Sequence, residues 1–437
     1  MKKTLFGLKV ALSTFLILFI FISSAFAQKE DKSIKIAVTG PMTHTSGMNQ
    51  WCATQMAAEE INAAGGIILA GSGRPINLIK IDTNELQNVP DAASAIERAI
   101  TVNKVDFIIG SWRTEAVLAM QDIAMDHKKI FFSQGAHPSI AHRVKKNYNR
   151  YKYYFRAYSN SEDYSPFYFI STEMAIEQVK HELGIKNPKV AIMMDKALWT
   201  EPLVKDAQRQ IPNVGGEVTG VWRPSMNATD VRAELMAIKN TGAHVIYSVM
   251  AGKSSLVAPK QWEELKIPTA LVGLNIEPSF ATFLESTKGL GNYVQTYTVM
   301  SRVKITDKTI PFWDKFINKC GSFPDYFLYP YIALYALKEA IEKANVLDPD
   351  ALVSQLEKTD LIAPTGRIAY KGMDTETPHD VRMGPGYQTG VVIQWQDKKY
   401  TTIWPPTNGS YHGIIYEGVQ KSKLPPWMVE YWKGKKQ

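Results

Sequence analysis

Cysteine is nearly absent from this chain, which has only Cys52 and Cys320 among its 437 residues. Small secreted domains that depend on disulfides need several bridges, so two cysteines exclude a disulfide scaffold. A single bond between Cys52 and Cys320 remains open. Because isolated cysteines are usually buried as small apolar side chains, two buried thiols are the default expectation.

Long apolar runs are absent beyond residue 27, and no later stretch of about 18 uncharged apolar residues could span a membrane. Residues 1–27 combine three lysines, an apolar run and the ending Ala25-Phe26-Ala27. This pattern predicts a secretory signal peptide that is removed before Gln28. We therefore expect a soluble protein in the periplasm, and no lipid anchor because residue 28 is not a cysteine.

Concentrated charge of one sign is also lacking. The formal net charge is +8, and three of these charges belong to lysines of the predicted signal peptide. The mild excess that remains forms no basic stripe, so nucleic acid is not an expected partner. The densest basic segment, 143–152, alternates with tyrosines. It predicts a solvated loop or, as the alternative, a surface for a partner or an anionic ligand.

The motifs of common enzymes are missing, since the chain has no G-x-S-x-G, HExxH, CxxC or P-loop sequence. His379-Asp380 and the nearby Gly384-Pro385-Gly386 lie in a turn-rich segment without a neighbouring nucleophile, which favours a structural role. The sequence therefore predicts a protein that is not an enzyme and that needs no cofactor or metal ion.

What the chain does contain is an alternation of short apolar runs with amphipathic helical patterns, which predicts an α/β fold with mostly parallel sheets. The roughly 410 residues after the signal peptide exceed what one core usually supports, so two doubly wound lobes are expected. The predicted strands are Ile34–Val38, Ile76–Asp82, Phe107–Ile109, Ile130–Ser133, Val190–Asp195, Gly216–Trp222, Val245–Met250, Ala270–Gly273 and Tyr293–Val299.

Three breaks in this rhythm, at 145–161, 299–307 and 363–366, predict that the chain crosses between the lobes three times. The first lobe is then expected to comprise 28–156 and 300–364. The second is expected to comprise 157–299 and 365–404, where the pattern becomes antiparallel. The Pro-, Trp- and Lys-containing segment 405–437 predicts an extension along the surface.

An ordered set of segments resembles a known family. The loop GPMTHTSG, the helix end AAEEINAAGGI, and then RPINLIKIDT, VDFIIGSWRTEAVLAMQDIA, IFFSQGAHPSI and AIMMDKALWTEPLVKDAQ are similar to type I periplasmic binding proteins, especially the leucine/isoleucine/valine-binding group. The resemblance spans roughly residues 34–405. It implies a clamshell of two lobes joined by three hinge crossings, which closes over a small ligand at the carboxyl ends of its strands.

The resemblance implies a carboxylate-binding first lobe. The carboxylate-holding hydroxyl falls on Thr114, at a predicted helix start where unpaired N–H groups favour an anion. Arg113 offers a further bidentate donor, although a lone loop arginine is as often a surface residue. Main-chain groups of Gly135 and Ala136 fall on the second carboxylate loop. His137 replaces a small hydroxyl residue there, which implies a different or bulkier ligand.

The second lobe departs from amino-acid binders. Trp199 stands where the family often has a tyrosine over the ligand, and Met250 lies in the next ligand-facing turn, with the match uncertain by one residue. Neutral Asn275 stands where amino-acid binders keep a carboxylate for the ammonium group, unless Glu277 replaces it. This difference favours an organic or aromatic acid as much as an amino acid.

Taken with the resemblance, these features predict a monomeric solute-binding protein that captures a small carboxylate and delivers it to an ABC transporter permease. The alternative is a receptor subunit that presents the same ligand to a signalling partner, because a fold does not determine the partner.

Overall fold

The computed structural model describes residues 32–156 and 158–435, so the predicted signal peptide, residues 1–27, lies outside the described residues. None of the helices in the described part of the chain has the length and apolar character that a membrane crossing requires. The architecture is α/β with two parallel sheets, as the sequence predicts.

Sixteen strands are described, most of them short buried runs rich in apolar and β-branched residues. All nine strands predicted from the sequence are among them, with ends that differ by at most two residues. In chain order the strands are β1 (Ile34–Gly40), β2 (Ile67–Leu69), β3 (Ser72–Arg74), β4 (Ile76–Asp82), β5 (Phe107–Gly110), β6 (Phe131–Ser133), β7 (Tyr154–Arg156), β8 (Lys189–Met194), β9 (Glu217–Trp222), β10 (Val245–Met250), β11 (Ala270–Asn275), β12 (Gln295–Thr298), β13 (Asp360–Ala363), β14 (Gly366–Ala369), β15 (Val391–Gln396) and β16 (Lys399–Trp404).

Helices fill most of the intervals between strands. The α-helices of the described residues are Thr45–Ala63, Val89–Thr101, Thr114–Asp126, Ser139–Lys146, Tyr148–Tyr151, Ser161–Leu183, Glu201–Asn213, Arg232–Asn240, Ser254–Glu264, Phe283–Ser286, Thr309–Cys320, Tyr329–Ala344, Pro349–Leu356 and Pro426–Gly434. Three 3₁₀ turns occupy Leu198–Thr200, Glu277–Ser279 and Tyr326–Leu328. The longest helix, Ser161–Leu183, is capped at its start by the Asn160 side chain and ends at Gly184, whose φ of 62° suits glycine.

The first sheet has five parallel strands in the order β4-β1-β5-β6-β7. The second has four parallel strands in the order β11-β10-β8-β9. Parallel strands end at the same edge of their sheet, so the loops after β5 and β6 lie together, as do those after β8, β10 and β11. These two groups of loops form the candidate site.

The chain passes between the two sheets three times. It first crosses after β7 into the Ser161–Leu183 helix, which packs on the second sheet, and returns after β12 into the Thr309–Cys320 helix. The third crossing lies between β14 and β15, since β14 pairs with β13 and β15 pairs antiparallel with β12 and β16. The residue limits of the two lobes remain predictions.

A buried ion pair joins the first and third crossings. Arg156 Nε lies 2.6 Å from Asp380 Oδ1, and both side chains are fully buried. Asn160 donates to the other carboxylate oxygen of Asp380 at 2.9 Å. The ring of His379 stacks on Phe155 with centroids 4.2 Å apart. These contacts give His379-Asp380 the structural role that the sequence favours.

The two cysteines are bonded, so the default expectation of two buried thiols is wrong. The Cα atoms of Cys52 and Cys320 are 5.9 Å apart, and both residues are half-buried. The bond links the Thr45–Ala63 and Thr309–Cys320 helices, which pack against each other on the first lobe. The two cysteines are 268 residues apart in the sequence, so no local sequence pattern could predict this packing.

The basic segment 143–152 is mostly helical, not a solvated loop, and three of its cations, Arg143, Arg150 and Lys152, are paired with acids. Arg150 lies 2.9 Å from Asp126, and Lys152 Nζ lies 2.6 Å from Asp350. Neighbouring acids therefore offset much of the positive charge that the alternative, a surface for a partner or an anionic ligand, would use.

The segment after β16 lies along the second lobe and ends in the Pro426–Gly434 helix, which the sequence does not predict. Gln394 Nε2 donates to the Lys423 carbonyl at 2.8 Å. The indole N–H groups of Trp427 and Trp432 donate to the carbonyls of Ile267 and Pro268 at 2.9 and 2.7 Å. This extension is therefore anchored to the lobe by its tryptophans.

Candidate ligand-binding cleft

The loop after β5 is held by a carboxylate of the protein itself. Glu85 is fully buried, and its Oε1 accepts hydrogen bonds from the main-chain N–H groups of Trp112 at 2.8 Å and Arg113 at 3.0 Å. Thr83 donates its hydroxyl to the other carboxylate oxygen at 2.8 Å. Gly110 precedes this loop with a φ of 122°, where an added Cβ would meet the Thr39 carbonyl. The entry to the next helix is thus fixed in place.

Thr114 is the first residue of the Thr114–Asp126 helix, and only 1% of its surface is exposed. Its Oγ1 accepts from the His137 N–H at 3.3 Å, which leaves the hydroxyl proton available to a ligand. Among the described residues, the main-chain N–H groups of Thr114, Glu115 and Ala136 donate to no acceptor. One hydroxyl and three N–H groups therefore converge near the positive end of a helix, where an anion is stabilised.

The guanidinium of Arg113 is held by its own lobe. Its Nη1 donates to the carbonyls of Glu85 and Leu86 at 2.8 and 3.1 Å. Its Nε lies 3.4 Å from Glu115 Oε2. Arg113 lines the cavity, but its main donors are already engaged with the 85–86 loop, so it positions that loop more than it grips a ligand.

The loop after β6 contributes through some of the predicted residues only. Gln134 and Ala136 line the cavity, whereas Gly135 is buried against Ile140 Cδ1, which an added Cβ would approach to 2.6 Å. His137 faces a separate groove beside the cavity, and its ring accepts from the Ser139 N–H at 3.1 Å. Burial, followed by the charge of Arg156, lowers the pKa of His137. His137 therefore contributes to the site through its main-chain N–H, which donates to the Thr114 hydroxyl.

In the second lobe, as in the first, a buried carboxylate of the protein holds a loop at the site in place. Asp195 follows β8, is fully buried, and accepts from the N–H groups of Ala251 at 2.8 Å and Gly252 at 3.3 Å. Burial raises the pKa of Asp195 to about 6. The loop after β10 is fixed in this way, and it is Ala251 that lines the cavity. Trp199, in the turn after β8, also lines it and is 8% exposed.

Met250 and Asn275 do not line the cavity. Met250 is fully buried in the core behind β10. Asn275 Oδ1 accepts from the Ser248 hydroxyl at 2.8 Å, and its N–H donates to Thr296 Oγ1 at 2.9 Å. Both side chains are therefore buried around the second sheet and do not face the cavity. The neighbours Leu274 and Ile276 line the cavity instead.

The cavity lies between the carboxyl ends of the two sheets. Its volume is about 40 Å³, so it is narrow. Its wall is dominated by aromatic and aliphatic side chains with few polar groups. The lining residues are Trp112, Arg113, Thr114, Glu115, Gln134, Ala136, Tyr158, Tyr168, Trp199, Met226, Ala251, Leu274, Ile276, Tyr326 and Phe327.

Four aromatic residues that line the cavity were not predicted from the sequence, because they belong to segments far along the chain from the predicted loops. Tyr158 and Tyr168 flank the first crossing. Tyr326 and Phe327 come from the 3₁₀ turn that follows the disulfide, and the Tyr326 carbonyl accepts from Gln134 Nε2 at 2.5 Å. The signal available in the sequence is weak: an aromatic cluster, 326–329, placed six residues after Cys320.

Acidic side chains are scarce around the cavity. Glu115 is the one carboxylate among its described lining residues, and it is paired with Arg113. Glu277 does not line the cavity; its carboxylate lies 3.8 Å from His44 Nε2. Within the described residues, no group of three or more His, Cys, Asp or Glu side chains is placed to hold a metal ion.

Most of the chain is similar to known proteins. Residues 34–386 match the family model described as periplasmic binding protein. The Leu/Ile/Val-binding protein homolog 8 of Brucella abortus is 23% identical over 370 residues, which cover 80% of this chain and 84% of the relative.

Two solved structures share the fold. The branched-chain amino acid transporter substrate-binding protein of Streptococcus pneumoniae, in complex with isoleucine, has a TM-score of 0.68 and 19% identity, covering 86% of this chain and 100% of that one. A solute-binding protein of an ABC transporter from Rhodopseudomonas palustris BisB5, in complex with 3,4-dihydroxybenzoic acid, has a TM-score of 0.67 and 17% identity, covering 90% and 99%. The chain thus belongs to the periplasmic binding protein family.

Proposed function

We propose that the protein is the extracytoplasmic solute-binding component of an ABC importer, which captures a small carboxylate between its lobes and delivers it to a permease as a monomer. The observation that carries this proposal is the asymmetry of the cavity. Its first-lobe side presents unpaired donors beside Thr114, while its second-lobe side is apolar. A ligand with an acid at one end and an apolar body at the other fits both sides.

The acid end fits the first lobe. The N–H groups of Thr114, Glu115 and Ala136 and the Thr114 hydroxyl are the donors that a carboxylate needs. Glu85 already accepts hydrogen bonds from the N–H groups of Trp112 and Arg113. The N–H group of Thr114 is therefore the first one along this loop that is available to the carboxylate of the ligand.

The second lobe supplies Trp199, Met226, Ala251, Leu274 and Ile276, none of which is charged. A ligand ammonium placed there would lose its hydration without gaining a counter-charge, which carries a high cost. The site therefore favours an aromatic or other apolar carboxylate over an α-amino acid. The solved structures with isoleucine and with 3,4-dihydroxybenzoic acid show that the fold accommodates both ligand classes. The uncharged second-lobe wall of this cavity suits the second class, an aromatic acid without an ammonium group.

A thermal-shift panel of matched pairs tests the proposal. Each pair differs only by the α-ammonium group: phenylalanine with 3-phenylpropanoate, and leucine with 4-methylpentanoate. Benzoate and 3,4-dihydroxybenzoate complete the panel. We expect the acids that lack an ammonium to raise the melting temperature by mass action and their amino-acid partners to leave it unchanged. Greater stabilisation by leucine than by 4-methylpentanoate would contradict the ligand class, and no response to any acid would contradict the carboxylate site.

Thr114→Val should weaken binding of 3-phenylpropanoate by about 10- to 150-fold, because a hydrogen bond to a charged group contributes about 1.5–3 kcal/mol. Isothermal titration calorimetry measures this loss. Thr101→Val is the matched control, since Thr101 is exposed and bonds only within its own helix, to the Glu97 carbonyl. Unchanged affinity in a folded Thr114→Val protein would remove Thr114 from the site.

A further inference from the structure

The wall of the cavity includes a buried phenol whose hydroxyl has no partner. Tyr326 lines the cavity and is 4% exposed. Its hydroxyl oxygen forms no hydrogen bond with any described residue. Of the buried side-chain polar atoms without a partner in the described part of the chain, this is the one that belongs to a cavity-lining residue. Because a buried hydroxyl without a partner is costly, a polar group of the ligand is the partner that this wall lacks.

A second phenol faces this hydroxyl from the other lobe. Tyr168 also lines the cavity, is 2% exposed, and belongs to the Ser161–Leu183 helix, which packs on the second sheet. Its phenol faces that of Tyr326, but the two hydroxyls are not bonded to each other. A ligand group that reaches both oxygens can donate to one of them and accept from the other.

Both phenols are held in place by contacts with their own surroundings. The Tyr326 carbonyl accepts from Gln134 Nε2 at 2.5 Å, which ties the 3₁₀ turn to the first lobe. The Tyr168 ring stacks on Tyr164 with centroids 5.4 Å apart and meets the edge of Tyr297 at 5.3 Å. The two side chains therefore lose little conformational freedom when a ligand group binds to them, which lowers the cost of binding.

The two phenols are neutral, which limits the chemistry of the group they bind. Burial raises the pKa of Tyr168 and of Tyr326 well above the ordinary value of a tyrosine, so neither becomes a phenolate at neutral pH. An ammonium group placed here would lose its hydration without gaining a counter-charge. A hydroxyl group needs no counter-charge, and it both donates and accepts.

We propose that Tyr168 and Tyr326 form a hydroxyl-binding subsite, so that the ligand is an aromatic acid with a hydroxyl group on its ring. The inference rests on the proposed function, because the carboxylate of this ligand still occupies the donors beside Thr114. The ring hydroxyl joins phenols of the two lobes, and its hydrogen bonds therefore stabilise the closed cleft in particular.

Isothermal titration calorimetry with matched acids tests the subsite. The probes are 3-phenylpropanoate and its 3-hydroxyphenyl and 4-hydroxyphenyl counterparts. We expect at least one hydroxylated acid to bind the wild type about 5- to 150-fold more tightly than 3-phenylpropanoate, because it satisfies a buried hydroxyl that the plain ring leaves without a partner. In Tyr326→Phe this preference should disappear, while the affinity for 3-phenylpropanoate stays the same or rises. Tyr168→Phe should act in the same direction.

Tyr335→Phe is the matched control, because Tyr335 is half-buried, bonds to Glu60 at 2.6 Å and does not line the cavity. It should keep the wild-type preference. Equal affinity of the wild type for plain and hydroxylated acids, or a preference that survives in Tyr326→Phe, would overturn the subsite.

Two further outcomes separate the subsite from the rest of the site. An equal loss of all three acids in Tyr326→Phe would mean that the phenols hold the carboxylate, which also overturns the subsite. Binding of 4-ethylphenol that Tyr326→Phe abolishes, without binding of any acid, would support the subsite and contradict the proposed function.

Discussion

Trp199→Ala is expected to weaken binding of 3-phenylpropanoate by about 30- to 900-fold, or about 2–4 kcal/mol, the range found for large aromatic residues buried at the centre of a binding site. Trp199 is 8% exposed and lies in the turn after β8, where it lines the cavity on the apolar side. Its removal takes away a flat wall for the ligand and leaves space that water enters. Isothermal titration calorimetry on the purified variant measures the loss.

Trp51→Ala is the matched control for Trp199→Ala. Trp51 is half-buried in the Thr45–Ala63 helix, packs under Lys80, and does not line the cavity. We expect the control to keep wild-type affinity even if its stability falls. A folded Trp199→Ala protein that binds 3-phenylpropanoate as tightly as the wild type would mean that the ligand body lies elsewhere.

Removing the disulfide is expected to lower the free energy of unfolding by about 2–5 kcal/mol, because the bond closes a loop of 268 residues and so restricts the unfolded chain. For a chain of this length the melting temperature should fall by about 2–6 °C. Differential scanning calorimetry of the Cys52→Ser/Cys320→Ser double variant tests this. A melting temperature equal to that of the oxidised wild type would show that the bond adds no stability.

The same variant should also bind 3-phenylpropanoate more weakly. The Tyr326–Leu328 turn follows Cys320 closely and contributes Tyr326 and Phe327 to the cavity wall. Without the bond, that turn loses its covalent tie to the Thr45–Ala63 helix. A reduced wild-type protein should behave like the double variant, which separates loss of the bond from the effect of the serine side chains.

Much of the fold follows from local sequence patterns. Strands such as β1 and β10 are short, buried and rich in β-branched residues, so their position is evident within two residues. Two crossings coincide with the breaks at 145–161 and 299–307, but the predicted break at 363–366 is the turn of the β13–β14 hairpin, and the third crossing follows β14. Two features could not be predicted because they depend on contacts between distant parts of the chain. They are the disulfide and the Pro426–Gly434 helix, whose tryptophans bind the carbonyls of Ile267 and Pro268.

More of the residues predicted from the sequence line the cavity on the first lobe than on the second. Thr114 and Ala136 lie in the cavity because a helix start and a strand end fix their positions in the sequence. On the second lobe the cavity is reached by Ala251 where Met250 was expected, and by Leu274 and Ile276 where Asn275 was expected. Successive residues at a strand end point to opposite sides, so an uncertainty of one residue exchanges a lining side chain for a core side chain.

The most direct test of the account is a crystal structure of the protein with 3-phenylpropanoate. We predict that the carboxylate accepts hydrogen bonds from the N–H groups of Thr114 and Ala136 and from the Thr114 hydroxyl, with the phenyl ring against Trp199. A ligand bound outside this cleft, or one whose carboxylate points to the second lobe, would contradict the account.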